Sequence, residues 1–169
     1  MRLHLVMLLC LSTGAAHAGC ATGLTTFLTC EVGAKRKALD VCYDDQIVTY
    51  SFGPVGAPEL LLTETVANID YTPWPGVGRA IWENVTFQNG DYGYTVFAGF
   101  ERLFGEMSDA DLPDPHFGGV VVRRAGTTIA ELECTAGTVE APWDDALFRA
   151  KEATGQTYDH SRRIWLYRE

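Results

Sequence analysis

Basic residues and histidines are scarce in this chain of 169 residues, and each scarcity excludes something. Lysine and arginine number 13 against 22 aspartates and glutamates. A surface of that sign repels phosphate backbones and anionic lipid head groups, so nucleic acid is not an expected partner. A basic protein would be attracted instead. Histidines number 4, and neither His-x-x-x-His nor Cys-x-x-Cys spacing occurs. Zinc needs three or four nitrogen, sulfur or carboxylate ligands held together, so no metal site and no other cofactor is expected. Long apolar runs are missing as well. The stretch from Leu5 to Leu11 is far shorter than the roughly 20 residues that cross a bilayer, so no membrane span is expected. No Gly-x-Ser-x-Gly frame surrounds Ser51, Ser108 or Ser161, which read as turn and surface residues. Internal repeats, low-complexity tracts and a second-domain linker are also absent.

What the chain does have begins at its first residues. Arg2 opens a positive start, Leu5–Leu11 follow as a short apolar core, and Ala16-His17-Ala18 is a small-x-small ending. This is the pattern of a secretory signal peptide over residues 1–18, leaving 19–169 as one β-rich domain with residues 134–169 as a C-terminal extension. Loss of Arg2 takes the net charge from −9 to about −10. A lipid-attachment reading of Cys20 requires leucine three positions upstream, where His17 stands, so Cys20 is assigned to a disulfide. Four cysteines then remain, Cys20, Cys30, Cys42 and Cys134, which form two bridges in one of three pairings. Periplasmic or secreted localisation is the expectation.

Short runs rich in Val, Ile, Thr, Tyr and Phe alternate with turn residues, the signature of an all-β chain. The expected fold is mainly β, an antiparallel meander of about eight strands closed as a barrel or folded as a sandwich, with one short C-terminal helix. Residues 25–32 and 38–43 flank a polar knuckle; if that hairpin centres on Arg36, Cys30 lies opposite Cys42. They then bond directly or each reaches another strand. Ile81, Glu83, Val85 and Phe87 alternate with Trp82, Asn84, Thr86 and Gln88, and Asn89-Gly90 suits a type I′ turn that sets Phe87 against Tyr92 and Val85 against Tyr94. Val120–Arg124 and Thr128–Cys134 form a further hairpin around Ala125-Gly126, with an odd residue keeping Val120, Val122, Ala130 and Leu132 on one face. Pro142 opens a helix over 142–154, and the apolar residues of 162–168 argue for docking of the tail.

The pieces Phe27-Leu28-Thr29-Cys30, Asp40-Val41-Cys42, Tyr50-Ser51-Phe52-Gly53 and Pro58-Glu59-Leu60 occur in a telling order. They are followed by Gly76-Val77-Gly78-Arg79, Phe87-Gln88-Asn89-Gly90-Asp91-Tyr92, Gly118-Gly119-Val120-Val121-Val122 and Ala130-Glu131-Leu132-Glu133-Cys134. Together, over residues 25–134, the chain resembles a family of small exported bacterial β-rich proteins of unknown function. The resemblance implies export and a single β-rich domain and brings no catalytic residue. More distantly, the plan is similar to that of the periplasmic inhibitors of C-type lysozymes, which are small exported antiparallel barrels. The Ser-Gly pair and the Tyr-x-x-x-Thr-Lys-Gly stretch of their inhibitory loops do not occur here.

Three features are candidates for function. Trp74, in the stiff loop Pro73-Trp74-Pro75-Gly76, and Arg79 are residue types favoured as interface anchors. Asp109, Asp111 and Asp114 beside His116 form an acidic loop without EF-hand spacing, stiffened by Pro113 and Pro115, and suited to a basic partner. Glu83 shares a face with apolar residues; buried, it needs a partner such as Arg79 or Arg102. With no catalytic frame, the leading reading is an exported binding module, inhibitor-like in plan, engaging a protein or an envelope component. The alternatives are a secreted hydrolase using carboxylates such as Glu83 or Asp111, and a structural envelope protein. The sequence leaves the oligomeric state open.

Overall fold

The computed structural model describes residues 19–102 and 114–168. Among the described residues the fold is mainly β, as the alternating pattern implies, with eleven strands rather than about eight and one helix. Strands β1 (Thr25–Val32), β2 (Lys37–Tyr43), β3 (Ile47–Gly53) and β4 (Leu60–Thr65) form an antiparallel meander. Strands β5 (Asp70–Thr72), β6 (Ala80–Asn89), β7 (Tyr92–Glu101), β8 (His116–Arg124) and β9 (Thr127–Glu133) form a second one. Helix α1 (Ala146–Ala153) follows, then a separate hairpin of β10 (Gln156–Asp159) and β11 (Ile164–Tyr167). The sheets do not close into a barrel and stack as a sandwich.

The core lies between the two large sheets. Alternation along β1 and β3 aims Leu28, Cys30, Val32, Val48 and Tyr50 inward, and the facing sheet supplies Val85, Phe87, Val96, Ala98 and Val120. Tyr50 sets its ring 5.7 Å from Phe87 and 5.6 Å from Tyr94, joining the layers. Close approach of β8 to β1 requires glycine at Gly118, where a Cβ would stand 2.8 Å from Leu28 Cδ1.

Local backbone geometry moves two expected registers and keeps a third. In the first hairpin, the loop Gly33–Arg36 ends with Arg36 in left-handed conformation (φ 48°), and Phe27 is an extra, bulged residue. Cys30 therefore lies opposite Leu39, and Cys42 opposite Thr26. The bridges formed are Cys20–Cys42 and Cys30–Cys134, so each cysteine of the hairpin does reach a different segment. In the long hairpin, Asn89 pairs with Tyr92, leaving Gly90 (φ 60°) and Asp91 as the loop. Phe87 thus faces Tyr94 and Val85 faces Val96; the shift spans two residues, so every side chain keeps its expected face. Between β8 and β9, Ala125 and Gly126 both take positive φ, and Ile129 is the odd residue that brings Val122 opposite Ala130 and Val120 opposite Leu132.

Past β9 the chain laces the layers together. The Cys134 amide donates to the Gly118 carbonyl at 2.9 Å, and the next amide, Thr135, donates to Glu31 at 2.7 Å. Glu140 then pairs with Thr29 on the free edge of β1. The Cys30–Cys134 bridge sits at this crossing. Two disulfides are the mark of chains that mature in an oxidising compartment. Among the described residues no helix is long and apolar enough to cross a membrane.

The helix starts later than the position of Pro142 implies. Asp144 Oδ1 accepts the Ala146 amide at 2.9 Å, and Asp145 takes a left-handed conformation (φ 53°) that breaks helical continuity. Pro142, Trp143 and Asp144 consequently precede the helix without regular secondary structure. Of the tail's apolar residues Trp165 docks, while Ile164, Leu166 and Tyr167 stay exposed. Trp165 donates its indole N–H to the Tyr71 carbonyl at 2.7 Å and packs against Tyr71, Phe148 and Tyr158.

Candidate functional site

Where β5 turns toward β6, the loop containing Trp74 meets the start of α1 and the turn after β10. Between them lies a groove of about 320 Å³, within the usual size range of small-ligand sites. Tyr71, Pro73 and Trp74 form one wall. Trp143, Asp145, Phe148 and Arg149 form the other, with His160 at one end. Each aromatic is held from behind. Tyr71 and Phe148 both pack on Trp165, with ring centres 5.9 and 5.1 Å away, and Trp143 meets the Phe100 ring edge-on at 6.3 Å. Trp74 donates its indole N–H to Val77 at 3.2 Å, while the Arg102 guanidinium lies 4.7 Å over its ring. The walls are therefore largely set before any ligand arrives.

Acid groups gather beneath the groove. The Tyr71 hydroxyl donates to Glu83 Oε2 at 2.5 Å, and the Tyr43 hydroxyl reaches Asp144 at 3.5 Å. Burial pushes the Glu83 carboxyl up to about 7; the Tyr71 hydrogen bond opposes this, and Asp144 and Asp145 add to it. Burial also raises Tyr71 and Tyr43, and the neighbouring carboxylates reinforce both shifts. Glu83 is half-buried, but its partner is a tyrosine rather than Arg79 or Arg102. A phenol satisfies the carboxyl in either protonation state, so no buried ion pair is needed.

The expected anchors are brought to one end of the fold but do not touch each other. Trp74 lines the groove. Arg79 is exposed, pairs with Glu101 at 3.7 Å, and is linked to the groove only through the Arg102 amide, which donates to its carbonyl at 3.1 Å. Asp109 and Asp111 lie outside the described residues. Asp114 Oδ1 accepts the His116 amide at 3.0 Å and contacts His116 Nδ1 at 2.8 Å, which holds its carboxyl below the usual range. His116 in turn packs against Phe100, the ring that supports Trp143. Among the described residues no three His, Cys, Asp or Glu side chains converge as a metal site would require.

Sequence reasoning missed the second wall. Trp143 and Asp145 read as the first turn of a helix, and only the left-handed Asp145 frees them for the groove. Lys151 was missed too, although its position four residues after Leu147 places both on one helix face. It is 2% exposed and donates to the carbonyls of Val66, Ala67 and Ile69 at 3.1, 3.0 and 2.9 Å. Burial pulls its pKa down to about 8, and Asp70 opposes that shift. The three bonds tie α1 to the chain entering β5, and so fix one groove wall against the other. Lys151→Met leaves three carbonyls without their donor. Each orphaned group costs about 1–3 kcal/mol, and release of a buried charge returns part of this. A net loss of about 2–3 kcal/mol is expected in urea titration, with m unchanged.

Comparison of the chain with protein-family models, with curated proteins and with solved structures found no match.

Proposed function

We propose that this chain is an exported binding module of the periplasm or extracellular space. It engages a protein or an envelope component through the groove between Trp74 and Trp143. The observation that carries this reading is the groove itself: aromatic walls braced from behind, with a carboxylate, a guanidinium and an imidazole at its rim. Preorganised aromatic surface binds with little loss of side-chain freedom, which favours affinity over a flexible site of equal area. Export rests on the signal-like residues 1–18 and is supported by the two disulfides. The resemblance to small exported bacterial proteins, and the distant one to lysozyme inhibitors, points the same way.

The secreted-hydrolase reading draws support from Glu83, whose elevated pKa suits a general acid. Against it, Glu83 is engaged by Tyr71 and is not among the described residues lining the groove, of which Asp145 alone carries a carboxylate. Glycoside hydrolysis needs two carboxyl groups facing one cleft. The structural-envelope reading predicts tight self-association or attachment to the wall.

The test is capture from an envelope extract by the oxidised, exported protein. Trp74→Ala is expected to abolish recovery of the captured component while leaving the far-ultraviolet circular dichroism unchanged. Recovery equal to the unsubstituted protein would overturn the assignment of this groove.

A further inference from the structure

Building on that binding-module reading, we propose that the groove between Trp74 and Trp143 takes a saccharide, with Asp145 and Arg149 hydrogen-bonding the hydroxyl rim of a sugar ring.

A pyranose ring has two kinds of surface: C–H faces, which are apolar, and a rim of hydroxyls that both donate and accept. A site for it needs flat aromatic surface together with donors and acceptors at the edge, and no net charge. The groove has this composition. Trp74 and Trp143 both line it, half-buried and so presenting part of each indole. At its rim Asp145 accepts, and Arg149 donates.

Asp145 carries the argument furthest. It occupies the position preceding α1, where an aspartate ordinarily accepts a backbone amide of the first turn. It makes no such bond, and Asp144 Oδ1 accepts the Ala146 amide. Asp145 is held in the left-handed region at φ 53°, a conformation uncommon outside glycine, and its carboxylate lines the groove. Backbone in this region collects at binding sites, where it aims a side chain that helix geometry would turn elsewhere. Arg149 is positioned by a bond from its Nη2 to the Asp144 carbonyl at 2.7 Å, which leaves its other N–H groups for a ligand. Trp143 Nε1 donates to none of the described residues.

Charge decides against an ionic ligand. An aromatic groove attracts cations, but this one already carries its own in Arg149, which lines it. An anion would meet Asp145, with Asp144 and Glu83 behind it. Asp145 and Arg149 offset each other, and a neutral, hydroxyl-rich ring satisfies both.

The experiment titrates the oxidised protein with β-1,4-linked tetramers of N-acetylglucosamine and of glucose and with the α-1,4-linked glucose tetramer. It follows tryptophan fluorescence and the indole N–H signals in nuclear magnetic resonance. At least one tetramer is expected to saturate at millimolar concentration or below and to shift the Trp74 and Trp143 signals. Trp143→Ala weakens that binding about tenfold or more, Trp143→Phe weakens it less, and Asp145→Asn, which tolerates the same backbone conformation, also weakens it. Absence of any shift with all three tetramers overturns the saccharide assignment, as does binding that Trp143→Ala and Asp145→Asn leave unchanged. If saccharides fail while Trp74→Ala still abolishes capture of a protein from the envelope extract, the ligand class is wrong and the binding-module reading stands. Failure of both sinks both.

Discussion

Replacing Cys30 and Cys134 together by alanine is expected to cost about 4–5 kcal/mol, and replacing Cys20 and Cys42 about 3 kcal/mol. The difference follows from what each bridge closes. Cys30 and Cys134 are separated by 104 residues, Cys20 and Cys42 by 22, and the chain entropy removed from the unfolded state grows with the logarithm of that length. Position adds to the difference. Cys30 is 5% exposed within the core, and its bridge sits where the chain leaves its pairing with β8 beyond β9 and crosses to the edge of β1. Without it, the two sheets are joined on that side only by backbone bonds and packing. Guanidinium titration of the two double variants measures the contrast. Equal losses would mean that the crossing at Cys134 holds the layers without its covalent link.

Glu83→Gln is expected to stabilise the protein at pH 8 by up to about 3 kcal/mol and to leave it nearly unchanged at pH 4. The carboxyl titrates near 4.5 when unfolded and near 7 when folded. Between those values the folded state holds a proton that the unfolded state has lost. Stability from this group is therefore full below pH 4.5, declines as pH rises through the window, and is gone above about 7. Glutamine removes that decline and still accepts the Tyr71 hydroxyl. Thermal denaturation from pH 4 to 8 reads it directly. A variant that parallels the unsubstituted protein across this range would show that Glu83 stays ionised in the fold. The same substitution probes function: a pure binding module keeps its binding, whereas a hydrolase using Glu83 as its acid loses turnover.

The β-hairpins were legible because their determinants are local. Alternation from Ile81 to Phe87 and the glycine at 90 specify a paired strand without reference to the rest of the chain, and only the register of two residues depended on which pair formed the loop. Cysteine pairing was not legible, since the bulge at Phe27 and the left-handed Arg36 shift Cys30 away from Cys42. Trp74 stood out because prolines on both sides stiffen an indole on a loop. Its counterpart did not, because Pro142-Trp143-Asp144-Asp145 carries every ordinary signal of a helix start. Asp144 accepts the Ala146 amide and Asp145 turns left-handed, so the helix begins only at Ala146 and Trp143 lies on the groove ahead of it. Lys151 was hidden for a different reason. A lysine defaults to solvent unless acceptors await it, and its acceptors lie more than eighty residues earlier, in the chain between β4 and β5. Glu83 was legible as an acid on an apolar face, but its tyrosine partner depended on how β5 pairs with β6.

The central claim is that the groove at this end of the sandwich is where the protein works. Hydrogen–deuterium exchange on the oxidised protein, alone and with the component it captures from its own envelope, tests this most directly. The account predicts slower exchange at residues 71–74 and 143–149 and around His160, with β3 and β4 unchanged. Slowing confined to β4, whose outer edge is open and carries Leu61 at 66% exposure, would contradict it. The working surface would then be the edge of the first sheet.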